Sequence, residues 1–350
     1  MGYLRKKRYF YILFIIGLGI LFSVIFISST FGSADISLRQ FSMVLFRRLP
    51  FIKDILPHGE IIESHETIIL NIRLPRIILA GLVGMGLSVV GAAFQGIFKN
   101  PMADPYVIGI SSGAGLGATI AIVLGLNSTV LGFGFISLGA FFGAFLTVIM
   151  VYKIAKTGAR LPTITLLLSG IAISQLWSSI MSILMIFNRN QIEKIIFWVM
   201  GSVSTASWRQ VVFLTPFVVL GNILLWVFSR DLNVLLMGDE TAKTLGIEIE
   251  KVKKILIIIC SILIGAVVSV SGLIGFVGLV IPHIMRMLIG ADNRVLIPFS
   301  ALGGSIFLII CDTLSRTLIA PSEIPVGAVT ALFGAPYFIY LLYKHKKVAL

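Results

Sequence analysis

Residues Arg73–Gly117 read RLPRIILAGLVGMGLSVVGAAFQGIFKNPMADPYVIGISSGAGLG. Two arginines, Arg73 and Arg76, lead into an apolar run carrying Gly81, Gly84, Gly86, Gly91 and Gly96. An Asn-Pro/Asp-Pro break follows, and a second apolar run opens on Ser-Ser-Gly-Ala-Gly. Apolar runs of membrane-spanning length, rich in small residues and joined by a polar turn, describe helices pressed together in lipid. In the turn, Asn100 and Asp104 are placed to bond backbone amides, and Pro101 and Pro105 fix the bend.

The rest of the chain supports that reading. With 350 residues, 57% of them hydrophobic, 12% charged and a mean hydropathy of +1.04, the sequence is too apolar for a soluble domain. Apolar windows fall near 9–29, 74–97, 106–125, 130–152, 161–187, 211–229, 254–271, 274–289, 296–316 and 326–343. The fold expected is therefore an all-α polytopic membrane protein of about ten transmembrane helices, one domain over residues 1–350. The first window is longer than a signal-peptide core and is read as a retained span. Short amphipathic pieces are expected at 191–200 and 238–246.

Lysine and arginine placement orients the spans. With both termini inside, 18 basic residues lie on the cytoplasmic face against 10 outside, and the 15 acids divide 7 to 8. The inner face then carries net +11 and the outer face +2, which accounts for the overall +13 without invoking nucleic acid. The longest outer loop is expected at about 31–72 and the longest inner loop at about 230–253. Spans 2–5 and 7–10 run in opposite directions, as an inverted repeat requires.

Chemistry-bearing clusters are scarce. Cys260 and Cys311 lie in apolar runs, the four histidines are scattered, and no GxxxxGK[ST] loop is present. The spans nearly lack ionisable side chains, apart from Asp312, His283 and Arg286, which disfavours ion coupling. A membrane-embedded enzyme would need a convergent nucleophile, base or metal set, and a self-sufficient carrier would move substrate with no ATPase.

Three constellations remain. The inner loop reads RDLNVLLMGDETAKTLGIEIEKVKK from Arg230. Asp239 and Glu240 suit a helix start, Lys243 its last turns and Gly246 its stop, while Leu235, Leu236, Ala242 and Leu245 supply an apolar side. Such a piece is either a partner-docking knob or a solvated loop with a helical turn. Arg73, Arg76 and Arg316 stand at outer membrane edges, where arginine commonly anchors lipid headgroups. Spans 5 and 10 carry hydroxyls, amides and glycines, including Thr165, Ser169, Gln175, Gly327, Thr330 and Gly334, at spacings that suit either helix packing or a translocation path.

The motifs RLPR, NPMADPYVIGISSGAGLG, LLMGDETAKTLGI, SGLIGFVGLVIPHIMR, DTLSR and EIPVGAVTALFGAPYF occur in this order. Together they resemble the permeases of ATP-binding-cassette importers for iron-siderophore, haem and cobalamin, over nearly the whole chain. The resemblance implies a type II importer permease in the cytoplasmic membrane of a prokaryote, paired with a second permease copy or paralogue. It implies ATPase subunits inside, which carry the ATP and magnesium, and a substrate-binding protein outside. Leu235, Gly238, Asp239, Glu240, Ala242, Leu245 and Gly246 would meet the ATPase. Arg73, Arg76 and Arg316 would pair with glutamates of the binding protein, a task suited to the guanidinium fork. No cofactor is implied on this chain. Ferric siderophore is the first cargo implied, with haem or cobalamin as alternatives.

Overall fold

The computed structural model describes residues 3–32, 34, 36–47, 63–126, 129–130, 133–158 and 160–348. The elements are α1 (Tyr3–Thr30), α2 (Leu38–Arg47), α3 (Glu63–Thr67), α4 (Leu74–Ile97) and α5 (Ile110–Val123). A two-rung hairpin, β1 (Thr129–Val130) and β2 (Phe133–Gly134), precedes α6 (Phe135–Ala155), α7 (Thr163–Phe187), α8 (Ile192–Met200) and α9 (Trp208–Val227). The inner loop holds α10 (Ser229–Leu236) and α11 (Asp239–Thr244), and the chain closes with α12 (Ile249–Ser271), α13 (Val277–Ile289), α14 (Asn293–Thr317) and α15 (Val326–Val348). Seven helices are long and apolar enough to cross a membrane, and three shorter apolar helices complete the ten expected among the described residues.

The described residues of the outer segment 31–72 are more structured than a loop. Ser37 and Gln40 form a reciprocal cap that starts α2, and α3 passes through a π-helical turn, Ile68–Arg73, directly into α4. The second span is thus one helix over Glu63–Ile97, begun eleven residues earlier than its apolar run suggests. Ile36, Phe41, Val44 and Ile69 pack as a small core that holds α2 against this extension. The polar stretch ESHET hid the extension, because it carries no apolar residue to mark a span; its two glutamates instead suit a helix start. Residues 48–62 lie outside the described part.

Helix α4 is the axis of the molecule, buried on nearly every side. Its glycines let other helices touch its backbone: a Cβ at Gly84 would sit 2.1 Å from the Gly304 carbonyl oxygen of α14, and one at Gly91 1.8 Å from that of Gly278 in α13. In lipid no hydrophobic force drives helices together, so such close approach, with its dispersion contacts, supplies the association. Ser88 and Ser305 add buried interhelical bonds, to the Ser300 and Gly81 carbonyls at 2.7 and 2.9 Å.

Helices α5 and α13, of 14 and 13 residues, are too short to span by themselves. They are the third and the eighth of the ten apolar helices. Span 3 begins at Ile110 and not near 106, because Pro101, Pro105 and a left-handed Gly109 keep the preceding segment out of helix. The two breaks touch: the Tyr106 hydroxyl donates to the Ile274 carbonyl at 3.1 Å and accepts from the Ile274 amide at 3.3 Å. One phenol therefore satisfies both backbone groups of buried Ile274 in the turn between α12 and α13, as irregular backbone at membrane depth requires.

Candidate functional site

The inner loop folds as two helices at an angle, set by Gly238 (φ 112°). Helix α11 ends in a glycine motif in which Gly246 N–H donates to the Lys243 carbonyl (2.9 Å) and Ile247 N–H to the Ala242 carbonyl (3.1 Å). Gly246 adopts φ 79°, which this arrangement needs. Leu235 and Ala242 are completely buried and fasten the loop to its own chain. The apolar side chains presented outward are Met237 (69% exposed) and Leu245 (61%), with Leu236 beside them. Sequence reading grouped Leu235, Leu236, Ala242 and Leu245 on one apolar side; the structure buries Leu235 and Ala242 and exposes Leu236, Leu245 and Met237. Apolarity alone does not say which side of a six-residue helix faces its own protein.

Helix α10 is tied to the start of α14. Asn233 Nδ2 donates to Asp292 Oδ1 at 2.7 Å, and Asn233 Oδ1 accepts from both the amide and the side chain of Asn293 at 2.8 Å. Asp292 caps α14 through the Arg294 amide. Hydrogen bonds from the Arg294 side chain, with that of Asn233, outweigh the cost of burial and hold the Asp292 carboxyl down at about 2.

At the outer end, the three arginines are buried and turned inward. Arg73 donates to the carbonyls of Ser29, Thr30 and Ala34, at 2.7, 3.0 and 2.5 Å. Arg76 donates from Nε to Asp312 at 2.9 Å and from Nη1 to Glu323 at 2.8 Å. Arg316 holds the carbonyl and hydroxyl of Ser28, at 2.6 and 2.8 Å, and stands 3.9 Å from Asp312. Glu323 thus engages Arg76 and not Arg316. The cluster lines a cleft of about 230 Å³ with Ile68 and Ile72. Among the described residues, the guanidinium groups of Arg73, Arg76 and Arg316 gather here with the carboxylates of Asp312 and Glu323. Arg76 Nη2 and Arg316 Nε are buried with no hydrogen-bond acceptor among the described residues.

Residues 20–344 match the model of the FecCD transport family. The chain belongs to the FecCD transport family. Relatives of this FecCD chain include the cobalamin import system permease protein BtuC of Halobacterium salinarum, 44% identical over 80% of this chain and 74% of the relative. The hemin transport system permease protein HmuU of Yersinia pestis is 42% identical over 79% and 84% of the two chains. The Fe(3+)-citrate import system permease protein YfmD of Bacillus subtilis is 38% identical over 96% and 94%. A metal-chelate type ABC transporter solved in an inward-facing conformation superposes with a TM-score of 0.82 at 31% identity, covering 95% of this chain and 99% of that one. The FecCD chain is therefore a multi-pass membrane permease subunit of a type II importer, and ATP hydrolysis belongs to a separate ATPase.

Within this FecCD permease the residues considered for a translocation path separate by burial. Thr330 and Gly334 face inward: the Thr330 hydroxyl bonds the Gly327 carbonyl at 3.0 Å, and Gly334 lies against the Phe276 ring. Gly327 packs on the Met200 carbonyl at the end of α8. Ser169 is buried in α7, and Thr165 bonds back to the Pro162 carbonyl at 2.8 Å. Gln175 is exposed, and it shares its face of α7 with exposed Ser179 and Ser182, at i, i+4 and i+7. Both serine hydroxyls donate to carbonyls one turn back, at 2.9 Å. They present oxygen without an unmet donor. Their helical spacing was present in the sequence and is the signal that finds them.

Proposed function

We propose that this permease, paired with a second copy or a close paralogue, carries a metal-chelate nutrient inward across the cytoplasmic membrane, ferric siderophore first among the cargoes. The observation that carries the reading is the pairing of an apolar knob on one face with an arginine cleft on the other, joined by α14. Met237 and Leu245 enter a cleft on an ATP-hydrolysing partner. ATP binding closes the ATPase pair, displaces α10 and α11, and switches which side of the central cavity is open. On the outer face the arginine cleft receives a carboxylate of the cargo-binding protein, and the Gln175, Ser179 and Ser182 face of α7 borders the path between permease copies. Neutral hydroxyls and an amide let a bulky chelate pass without trapping it by charge. The 44% identity to a cobalamin permease favours cobalamin as the second reading.

The test is ATP-dependent uptake into liposomes by the permease co-reconstituted with its ATPase and binding protein, using labelled ferric siderophore, haem and cobalamin. Leu245→Arg is expected to reduce uptake at least tenfold with an unchanged melting temperature. Ala242→Arg would not isolate docking, because that side chain is fully buried and the change disrupts the loop itself. Uptake that continues without the ATPase defeats the proposal.

A further inference from the structure

The cytoplasmic ends of α1, α9 and α14 enclose a trough of about 620 Å³. Its origin is local. Pro298, in the second turn of α14, has no N–H to give the Arg294 carbonyl four residues earlier. The indole of Trp226 on α9 donates to that carbonyl instead, at 3.0 Å, and is thereby fixed across the inner end of the trough. Deeper in, Phe14 of α1 and Phe299 of α14 meet edge to face with centroids 5.6 Å apart.

The trough is graded in polarity. Arg8 and Arg294 mark its cytoplasmic edge, and the two phenylalanines lie further along helices that run outward in the same sense. The offset is about 9 Å from Arg8 to Phe14 and about 7.5 Å from Arg294 to Phe299 at the rise of an α-helix. Cation at the membrane surface and aromatic carbon one acyl segment below it is the profile of a phospholipid. Asp292 holds Arg294 by a pair of contacts, at 2.6 and 3.0 Å, whereas Arg8 has no ion-pair or hydrogen-bond partner among the described residues. A zwitterionic headgroup would bring a second cation to Arg8. An anionic one brings only the charge that is missing.

We propose that this trough binds one anionic phospholipid, its phosphate on Arg8 and an acyl chain along Phe14 and Phe299. Anionic lipid at the cytoplasmic leaflet favours such basic niches between helices.

Purified full-length permease in detergent, mixed with equal amounts of phosphatidylglycerol and phosphatidylcholine, is read by native mass spectrometry. Wild type is expected to retain phosphatidylglycerol with about fivefold preference, the effect of one interfacial cation, and Arg8→Gln to bring the ratio near one. A second readout places the lipid. Brominated phosphatidylglycerol should quench the emission of Trp226, taken as the difference between wild type and Trp226→Phe, at lower mole fraction than brominated phosphatidylcholine. That preference should vanish in Arg8→Gln. Equal retention of the two lipids by wild type overturns the proposal, as does undiminished preference in Arg8→Gln. Displacement of the lipid by soluble glycerol phosphate would mark a free-phosphate site and overturns it too.

Discussion

Asp312 is wholly buried at the outer end of α14, and Arg76 is the cation in hydrogen-bonding contact with it. Removing one partner of a buried pair costs about 3–5 kcal/mol, whereas replacing both by apolar groups is often close to neutral. Arg76→Ala is therefore expected to lower the detergent melting temperature markedly. Arg76→Met with Asp312→Leu should recover only part of it, because buried Arg316, 3.9 Å from Asp312, then loses that carboxylate. A double variant as stable as wild type would show that Arg316 does not depend on Asp312. Glu323, whose side chain is 40% exposed, occupies the other arm of Arg76. If a partner carboxylate docks in this cleft, Glu323 competes with it, so Glu323→Gln should tighten binding-protein association in surface plasmon resonance. Weaker association would count against docking there. The sequence placed these residues at one membrane face by the charge rule. It could not show that positions 76 and 312, separated by 236 residues, share a hydrogen bond.

The helices show the same division. That α4 packs through glycine was legible in the glycine run, but which glycines lie at backbone contact was not. A Cβ on Gly81 meets the Ile309 side chain at 3.4 Å, an ordinary contact, while one on Gly84 meets the Gly304 backbone at 2.1 Å. Gly81→Ala should be neutral or stabilise by up to about 1 kcal/mol through helix propensity. Gly84→Ala must separate α4 from α14, and is expected to destabilise by about 2–3 kcal/mol. Thermal unfolding of the two variants side by side decides this, and equal melting points would refute the close packing. The inner loop was visible as a capped, amphipathic piece with Gly246 at its stop. Its division into buried Leu235 and Ala242 against outward Met237 and Leu245 arose only when α10 and α11 met the ends of their neighbours.

Over the whole molecule, α14 joins the inner loop to the arginine cleft. Its 25 residues, about 37 Å long, run from the Asn233–Asp292–Asn293 clamp on that loop to Asp312 and Arg316 beside the outer cleft. Asn233→Ala is expected to leave basal ATPase activity of the assembled importer intact and to abolish most of its stimulation by the binding protein. Stimulation unchanged in that variant would remove α14 from the coupling. The carboxyl of Asp292 lies below its unfolded value, so its contribution is fully present above about pH 4 and is lost only as pH falls toward 2. The clamp should thus hold through the neutral range, and a melting-temperature profile of wild type against Asp292→Asn should converge only in acid.

The sequence by itself determined the membrane class, the ten apolar helices, their orientation and the family, because length, apolar runs, basic-residue asymmetry and ordered motifs are properties of the chain alone. The tertiary structure decided which side chains look inward: the three arginines, Ala242, Thr330 and Gly334. It also decided the early start of the second span, the phenol that joins the two helix breaks and the trough beside α1. The physical reason is the solvent. In water a polar face and an apolar face separate outside from inside, but lipid accepts apolar carbon on every side of a helix. The pattern that would have told a buried face from a lipid-facing one is therefore missing, and only packing supplies it.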